Sequence, residues 1–276
     1  MKTSLFFLLL AAATLRAQIA IEVLPQSSVP PPSFAVFGGD DISLRLKITA
    51  FGQAEGKIIY DLKQVGAGEI LASLAHNMPV SDVSVNKAGV LTIEAKVPVP
   101  EVKGLAKMLL VFREAGQAAS NDTIPTKPIF FDVYPRPKHS EWSDLIAAAE
   151  KQDGFSLCVF GESPRIREFL DVHSIDFRDL GKNFPNRFPA DGLAVGEVTE
   201  DDMERYRPHS ESGRKIFFLV GDRTQPKPLP GIYEISTPTG ILSKVTLPLL
   251  SELQSNPKVQ TAFLDLLIRN LNPETP

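Results

Sequence analysis

The chain is poor in the residues that usually announce chemistry. It has one cysteine, Cys158, one tryptophan, Trp142, and four histidines in 276 residues. A lone cysteine excludes an internal disulfide. No cysteine or histidine cluster has zinc spacing, so no metal site is expected. Positive charge is also short, with 29 Lys and Arg against 33 Asp and Glu for a net −4. Nucleic-acid binding needs a basic stripe, so no nucleic-acid partner is expected. What is abundant is proline, 23 residues, or about 8 % against a usual value near 5 %. Without a collagen repeat, this excess predicts many short strands with proline at their ends. Apolar content of 43 % and charged content of 22 % are those of a globular protein, and the length suits two domains.

Residues 1–17 read as a secretory signal. Lys2 supplies the positive start, the run from Leu5 to Ala13 the apolar core, and small residues follow. Cleavage after Ala17 starts the mature chain at Gln18, although Ala11-Ala12-Ala13 offers an earlier site. A spanning helix needs roughly 20 apolar residues, and Arg16 interrupts the run before that, so no membrane span is expected after signal removal. Losing Lys2 and Arg16 moves the charge from −4 to −6. The expected location is extracytoplasmic, periplasmic or secreted, where cores alone must hold a chain without disulfides.

Residues 18–134 read as all-β. Ile19, Ile21 and Val23 alternate with Ala20 and Glu22, and Ile42, Leu44, Leu46 and Ile48 alternate with Ser43, Arg45 and Lys47, the period of a half-buried strand. A Ser/Pro connector at 27–32 separates these two. Further strands are expected around Ile58, Tyr60 and Leu62, before the Gly66-Ala67-Gly68 turn, and at Val90–Val97, Lys107–Phe112 and Pro128–Val133. About seven short strands in this span is the count of an immunoglobulin-like sandwich. A Pro-rich hinge, 135–139, follows as a linker.

Residues 140–276 alternate helix with strand. Helices are expected from Ser140 to Gln152, with Trp142, Leu145, Ile146 and Ala149 on one side, and from Ser163-Pro164 to Val172. A third is expected over 199–207, and a fourth behind an Asn256-Pro257 cap, with Val259, Phe263, Leu266, Leu267 and Leu271 as its apolar stripe. Strands are expected at Phe155–Phe160, Ile175–Phe177, Gly192–Val198, Lys215–Val220, Ile232–Ser236 and Ile241–Thr246. Such alternation predicts a doubly wound, mostly parallel sheet, hence an α+β two-domain chain with an all-β first half and an α/β second half.

Three sets of residues carry a resemblance: Phe155-Ser156-Leu157-Cys158-Val159-Phe160-Gly161, Ala190-Asp191-Gly192-Leu193-Ala194-Val195-Gly196-Glu197, and the tail from Thr246-Leu247-Pro248 through Leu264-Asp265-Leu266-Leu267. With them the second half resembles the flavodoxin-type domain of class I glutamine amidotransferases, in the degenerate form attached to secreted bacterial polysaccharide-acting proteins. The first half, with Asn121 ahead of Ile129-Phe130-Phe131-Asp132-Val133-Tyr134-Pro135, is similar to the β-sandwich that precedes such domains. The resemblance implies a polysaccharide or an extracytoplasmic protein as partner.

An active amidotransferase presents its cysteine on a strand-to-helix elbow with a downstream His-x-Glu. Here Cys158 lies inside an apolar strand, and none of His76, His139, His173 or His209 has Glu two positions later. A buried core thiol is expected instead. Gly161-Glu162-Ser163 resembles a hydrolase nucleophile elbow, but Pro164 lacks the N–H the oxyanion hole needs, and Arg165 stands where the second glycine belongs. Helix capping is the expected role of Ser163. Ser236–Gly240 resembles a flavin phosphate loop but lies late in the fold, so a hairpin and no cofactor are expected.

Three strands end in glycine plus an acid: Gly161-Glu162, Gly196-Glu197 and Gly221-Asp222, the last followed by Arg223. In a doubly wound sheet these ends share one crevice. Glu162, Ser163, Glu197, Asp222 and Arg223 are therefore the candidate ligand-binding residues, able to meet a cation or sugar hydroxyls. Acids at helix N-termini are also favoured by the backbone dipole with no ligand at all. The expectation is an exported binding or accessory protein with no catalytic residues. A hydrolase acting through the crevice on a glycoside, ester or amide, and a structural piece of an envelope complex, stay open.

Overall fold

A computed structural model of the chain describes residues 19–24, 35–50, 54–85, 89–115, 127–138, 140–182, 189–198, 215–220, 232–237, 240–245 and 252–271. Residues 1–17, expected as a signal, the Ser/Pro stretch at 27–32, His139, residues 199–207, expected as a helix, Asp222 and Arg223 lie outside them. The architecture is mixed α+β and rich in strand. Two compact units gather the described residues, one from 1–33, 39–100 and 106–131, the other from 34–38, 101–105 and 132–276.

In the first unit β1 (Ile19–Leu24), β3 (Asp41–Ala50) and β6 (Gly89–Pro98) form an antiparallel sheet in the order β1-β3-β6. Ile42, Leu44, Leu46 and Ile48 are buried while Ser43 and Arg45 face solvent, as their period-2 placement requires. The solvent face carries the cross-strand ion pairs Lys47–Glu22 at 3.2 Å and Arg45–Glu94 at 4.0 Å.

A second sheet has the order β2-β8-β7-β4-β5, with β2 at Ala35–Phe37, β8 at Ile129–Tyr134, β7 at Ala106–Glu114, β4 at Ala54–Gly66 and β5 at Glu69–Val85. Ile58, Tyr60, Leu62, Met108, Leu110 and Phe112 are buried in it. The sequence gives no hint of β5 because its register slips four times against β4. Leu71, Leu74, the pair His76-Asn77 and Val80 are extra residues, and each resets the alternation.

The His76-Asn77 bulge builds a buried polar knot. Asp61 and Arg113 are 4 % and 9 % exposed. The Asp61 carboxylate accepts from Arg113 Nε at 3.0 Å and from the Asn77 N–H at 2.8 Å. His76 Nδ1 lies 2.9 Å from it, and Arg113 Nη2 donates to the Asn77 side-chain oxygen. Burial pushes the Asp61 carboxyl up, but the hydrogen bonds from Asn77 and Arg113 and the charges of Arg113 and His76 outweigh it. The group therefore titrates below the ordinary carboxylate range.

The second unit is built on a six-stranded sheet of order β10-β9-β11-β12-β14-β13. Its strands are β9 (Ser156–Phe160), β10 (Arg178–Asp179), β11 (Gly192–Val198), β12 (Lys215–Val220), β13 (Ile232–Thr237) and β14 (Gly240–Val245). The pairings β10·β9, β9·β11, β11·β12 and β12·β14 are parallel, and β13 joins β14 as an antiparallel hairpin. The second strand is thus Arg178–Asp179 and not Ile175–Phe177: Ile175 is drawn into the core at 3 % exposure, and the chain pairs with β9 only beyond it.

Three helices are described: α1 (Glu141–Asp153), α2 (Pro164–Val172) and α3 (Pro257–Leu271). α3 is capped as expected, with Asn256 Oδ1 accepting the Lys258 N–H at 3.0 Å, and its five stripe residues are all buried. α1 buries Trp142, Ile146 and Ala149 but leaves Leu145 45 % exposed, so its apolar face is narrower than expected. Nor does the Ser140 hydroxyl cap α1. Trp142 packs on Phe169 and His173 of the α2 region, with ring centroids 5.7 and 4.4 Å away.

Candidate functional site

β9 is apolar from Leu157 to Phe160 because it is flanked on both sides, by β10 and by β11, and these four residues are fully buried. The chain passes from β9 to β10 on one side and then back to β11 on the other. In such sheets the crevice outside the carboxyl ends at this switch point is where ligands usually bind. An open cleft of about 440 Å³ lies there, lined by Glu162, Ser163, Pro164, Arg165, Arg167, Lys182 and Glu197.

The two turns that form it are tied together. Gly161 takes the left-handed conformation (φ 69°) and donates its N–H to Gly181 O at 3.0 Å. Arg167 reaches from α2 to Gly161 O at 2.8 Å and grips both oxygens of Asp179, at 2.9 and 3.3 Å. The Arg167 hydrogen bond, then the Gly181 N–H, hold the Asp179 carboxyl below its usual range.

Ser163 is fully buried at the back of this cleft. Its hydroxyl donates to Phe160 O at 3.0 Å and accepts the Glu197 N–H at 2.7 Å. It makes no side-chain cap on α2, which corrects the capping role expected for it. The hydroxyl instead ties the end of β9 to the end of β11, a bond that a free N-cap geometry would forfeit.

Three backbone donors at the turn are engaged in the same way. Gly161 N–H serves Gly181 O, Ser163 N–H serves Gly161 O, Glu197 N–H serves Ser163 Oγ, and Pro164 has none. An oxyanion hole or phosphate cradle needs several such donors pointing outward. What the cleft does offer is side chains. Glu162 is exposed, and Glu197 sits 3.9 Å from Arg165 with its side chain 26 % exposed. Arg165 and Lys182 supply positive charge beside them.

Of the expected site residues, Glu162, Ser163 and Glu197 come together in this cleft, while Asp222 and Arg223 fall outside the described residues. Arg165, Arg167 and Lys182 also line the cleft, although strand-end spacing does not single them out. A signal existed: two arginines in the first turn of a helix oppose its dipole, and need another reason to be there. Cys158 is fully buried, and burial pushes its thiol up to about 11, so it is inert as a nucleophile. The described histidines, His76 and His173, do not line the cleft. Among the described residues no group of three or more His, Cys, Asp or Glu is placed to hold a metal ion, and no helix is long and apolar enough to cross a membrane.

No protein-family model matches the chain, and no curated protein does. Solved structures give faint likenesses. The Pseudomonas fluorescens alkylpurine DNA glycosylase AlkC shares 11 % identity over 43 % of this chain and 31 % of its own, at a TM-score of 0.28. The Bacillus subtilis sporulation control protein Spo0M shares 12 % over 49 % of this chain and 55 % of its own, at 0.30. A Listeria innocua beta-glucosidase shares 15 % over 44 % of this chain and 17 % of its own, at 0.27. The chain spans less than two thirds of the length of each, and at these scores the likenesses carry no argument.

Proposed function

We propose that the chain is an exported, non-catalytic accessory protein whose second unit binds a carbohydrate or protein partner at the switch-point cleft. The observation that carries this reading is the state of Ser163. A nucleophile needs a hydroxyl that a base can reach, and this one is buried with its proton given to Phe160 O and a lone pair given to Glu197. The outward-facing groups are Glu162, Arg165, Lys182 and Glu197, which can bind and orient a polar ligand.

The finer architecture is part of the same proposal. In chain order the strands of the second unit run 2-1-3-4 and then close with the β14–β13 hairpin, which supports a flavodoxin-like, amidotransferase-related domain. Two largely antiparallel sheets with alternating buried positions, most of whose strands lie in the first unit, support an immunoglobulin-like sandwich there.

The test is a thermal-shift and affinity-gel screen of the mature chain against polysaccharides, with a Glu162→Gln/Arg165→Gln/Lys182→Gln/Glu197→Gln variant beside it. The native chain is expected to be retarded and stabilised by a ligand, and the variant to lose both. Product release from a glycoside, ester or amide panel that disappears in Ser163→Ala or Cys158→Ala would overturn the reading. N-terminal sequencing of exported protein is expected to start at Gln18.

A further inference from the structure

β6 is a ten-residue edge strand with no bulge. Its ten residues pair with β3 in unbroken register, from Asp41↔Pro98 to Ala50↔Gly89, and among the described residues no strand pairs with its other side. Sheet edges are ordinarily protected by bulges, very short strands, lysine or proline, and β6 carries Lys96 and Pro98 near one end. β5, the edge of the other sheet, has four register slips; β6 has none. On the core side of β6, Ala95 and Val97 are fully buried, but Leu91 is 40 % exposed and Ile93 half-buried. On its solvent side Glu94 and Lys96 stand two residues apart, and Glu94, 4.0 Å from Arg45 of β3, keeps its side chain 75 % exposed toward the open edge.

We propose that two copies of this chain join their β6 strands antiparallel about a twofold axis at Ala95, forming one continuous sheet of six strands. The charges select the register. A self-complementary antiparallel pair sets each residue opposite the one equally far beyond the axis. With the axis at Ala95, Glu94 faces Lys96 of the second copy and Lys96 faces its Glu94, which gives two ion pairs. With the axis at Glu94 or at Lys96, like charges meet directly, and with the axis at Ile93 neither charge finds a partner. Opposite charges across a strand pair stabilise it, and like charges destabilise it.

The apolar side agrees with the same axis. It places Ile93 opposite Val97 of the second copy and Leu91 opposite Val99, so each part-exposed residue meets one that is buried in its own copy. This pairing does not depend on the cleft or on what the cleft binds.

Sedimentation velocity of the full chain over a concentration range tests it, with Glu94→Lys, Lys96→Glu, the double exchange and Leu91→Ser compared. The native chain is expected to dimerise. Each single reversal turns both ion pairs into like-charge pairs and is expected to weaken association roughly tenfold to a hundredfold. The double exchange is expected to restore it, since the pairs re-form with signs swapped, and Leu91→Ser is expected to weaken it without touching a charge. Circular dichroism checks that every variant is folded. A native chain that stays monomeric up to about 1 mM, a dimer indifferent to the single reversals, or a double exchange that fails to recover would each overturn the proposal.

Discussion

Replacing Arg113 by methionine keeps most of its buried volume and removes its charge. Asp61 would then remain 4 % exposed with only the Asn77 N–H and His76 beside its carboxylate. Breaking a buried ion pair from one side costs about 3–5 kcal/mol, because the remaining charge is left without compensation. For a unit of this size, with roughly 4 °C lost per kcal/mol, the first unit's melting temperature should fall by about 12–20 °C. Calorimetry of the full chain and urea titration measure it. The penalty should depend on pH. In the native protein the lowered Asp61 pKa contributes stability that is present above the unfolded value of about 3.9 and lost as pH falls through the folded value. In Arg113→Met, acid neutralises the stranded carboxylate, so the gap between native and variant should narrow toward pH 3. The double variant Asp61→Asn/Arg113→Met should recover part of the loss. A cost below about 1 kcal/mol, or a gap that does not change with pH, would refute the assignment of this knot as a compensated buried pair.

Three other outcomes are expected. Gly196→Ala should destabilise the second unit by about 1–3 kcal/mol, because the new methyl would lie 2.6 Å from the Phe160 ring; unchanged thermal unfolding would count against that packing. Cys158 should resist Ellman's reagent at pH 8 in the folded chain and react promptly in denaturant, since its thiol is pushed up to about 11 by burial; fast labelling of native protein would contradict this. Burial holds the His173 pKa below its ordinary value, so this residue's contribution to stability is present above the unfolded pKa of about 6.5 and lost as pH falls through the folded value. A titration followed by NMR should place the His173 midpoint below the ordinary histidine value of about 6.5.

The parts legible from sequence were those in which one pattern runs undisturbed. β3 shows period 2 for ten residues without a slip, and α3 carries both its cap and a full stripe, so each appears where Ile42–Ile48 and Asn256–Leu271 place it. β5 was illegible because Leu71, Leu74 and the His76-Asn77 bulge each shift the face that follows. The second parallel strand was displaced because Ile175 and Phe177 are apolar for the sake of the core, while the residues that pair, Arg178 and Asp179, are charged. At the site, spacing could bring Glu162 and Glu197 to one crevice, since both follow a strand-end glycine. It could not reveal that Ser163 is tied to Glu197 across 34 positions, because a hydroxyl's partner is set by sheet order rather than by its neighbours in the chain.

The bolt between Ser163 and the ends of β9 and β11 also limits how this crevice could change. A chain seeking a working nucleophile here would have to free that hydroxyl and replace Pro164 to regain a donor. Freeing the hydroxyl alone takes away the acceptor of the Glu197 amide, at a cost of about 1–3 kcal/mol for that orphaned group, and one donor from Phe160 O. Replacing the proline alone brings no reaction. Neither single step is rewarded, so the scaffold sits behind a two-mutation barrier, while the exposed charges around it remain free to drift toward new ligands.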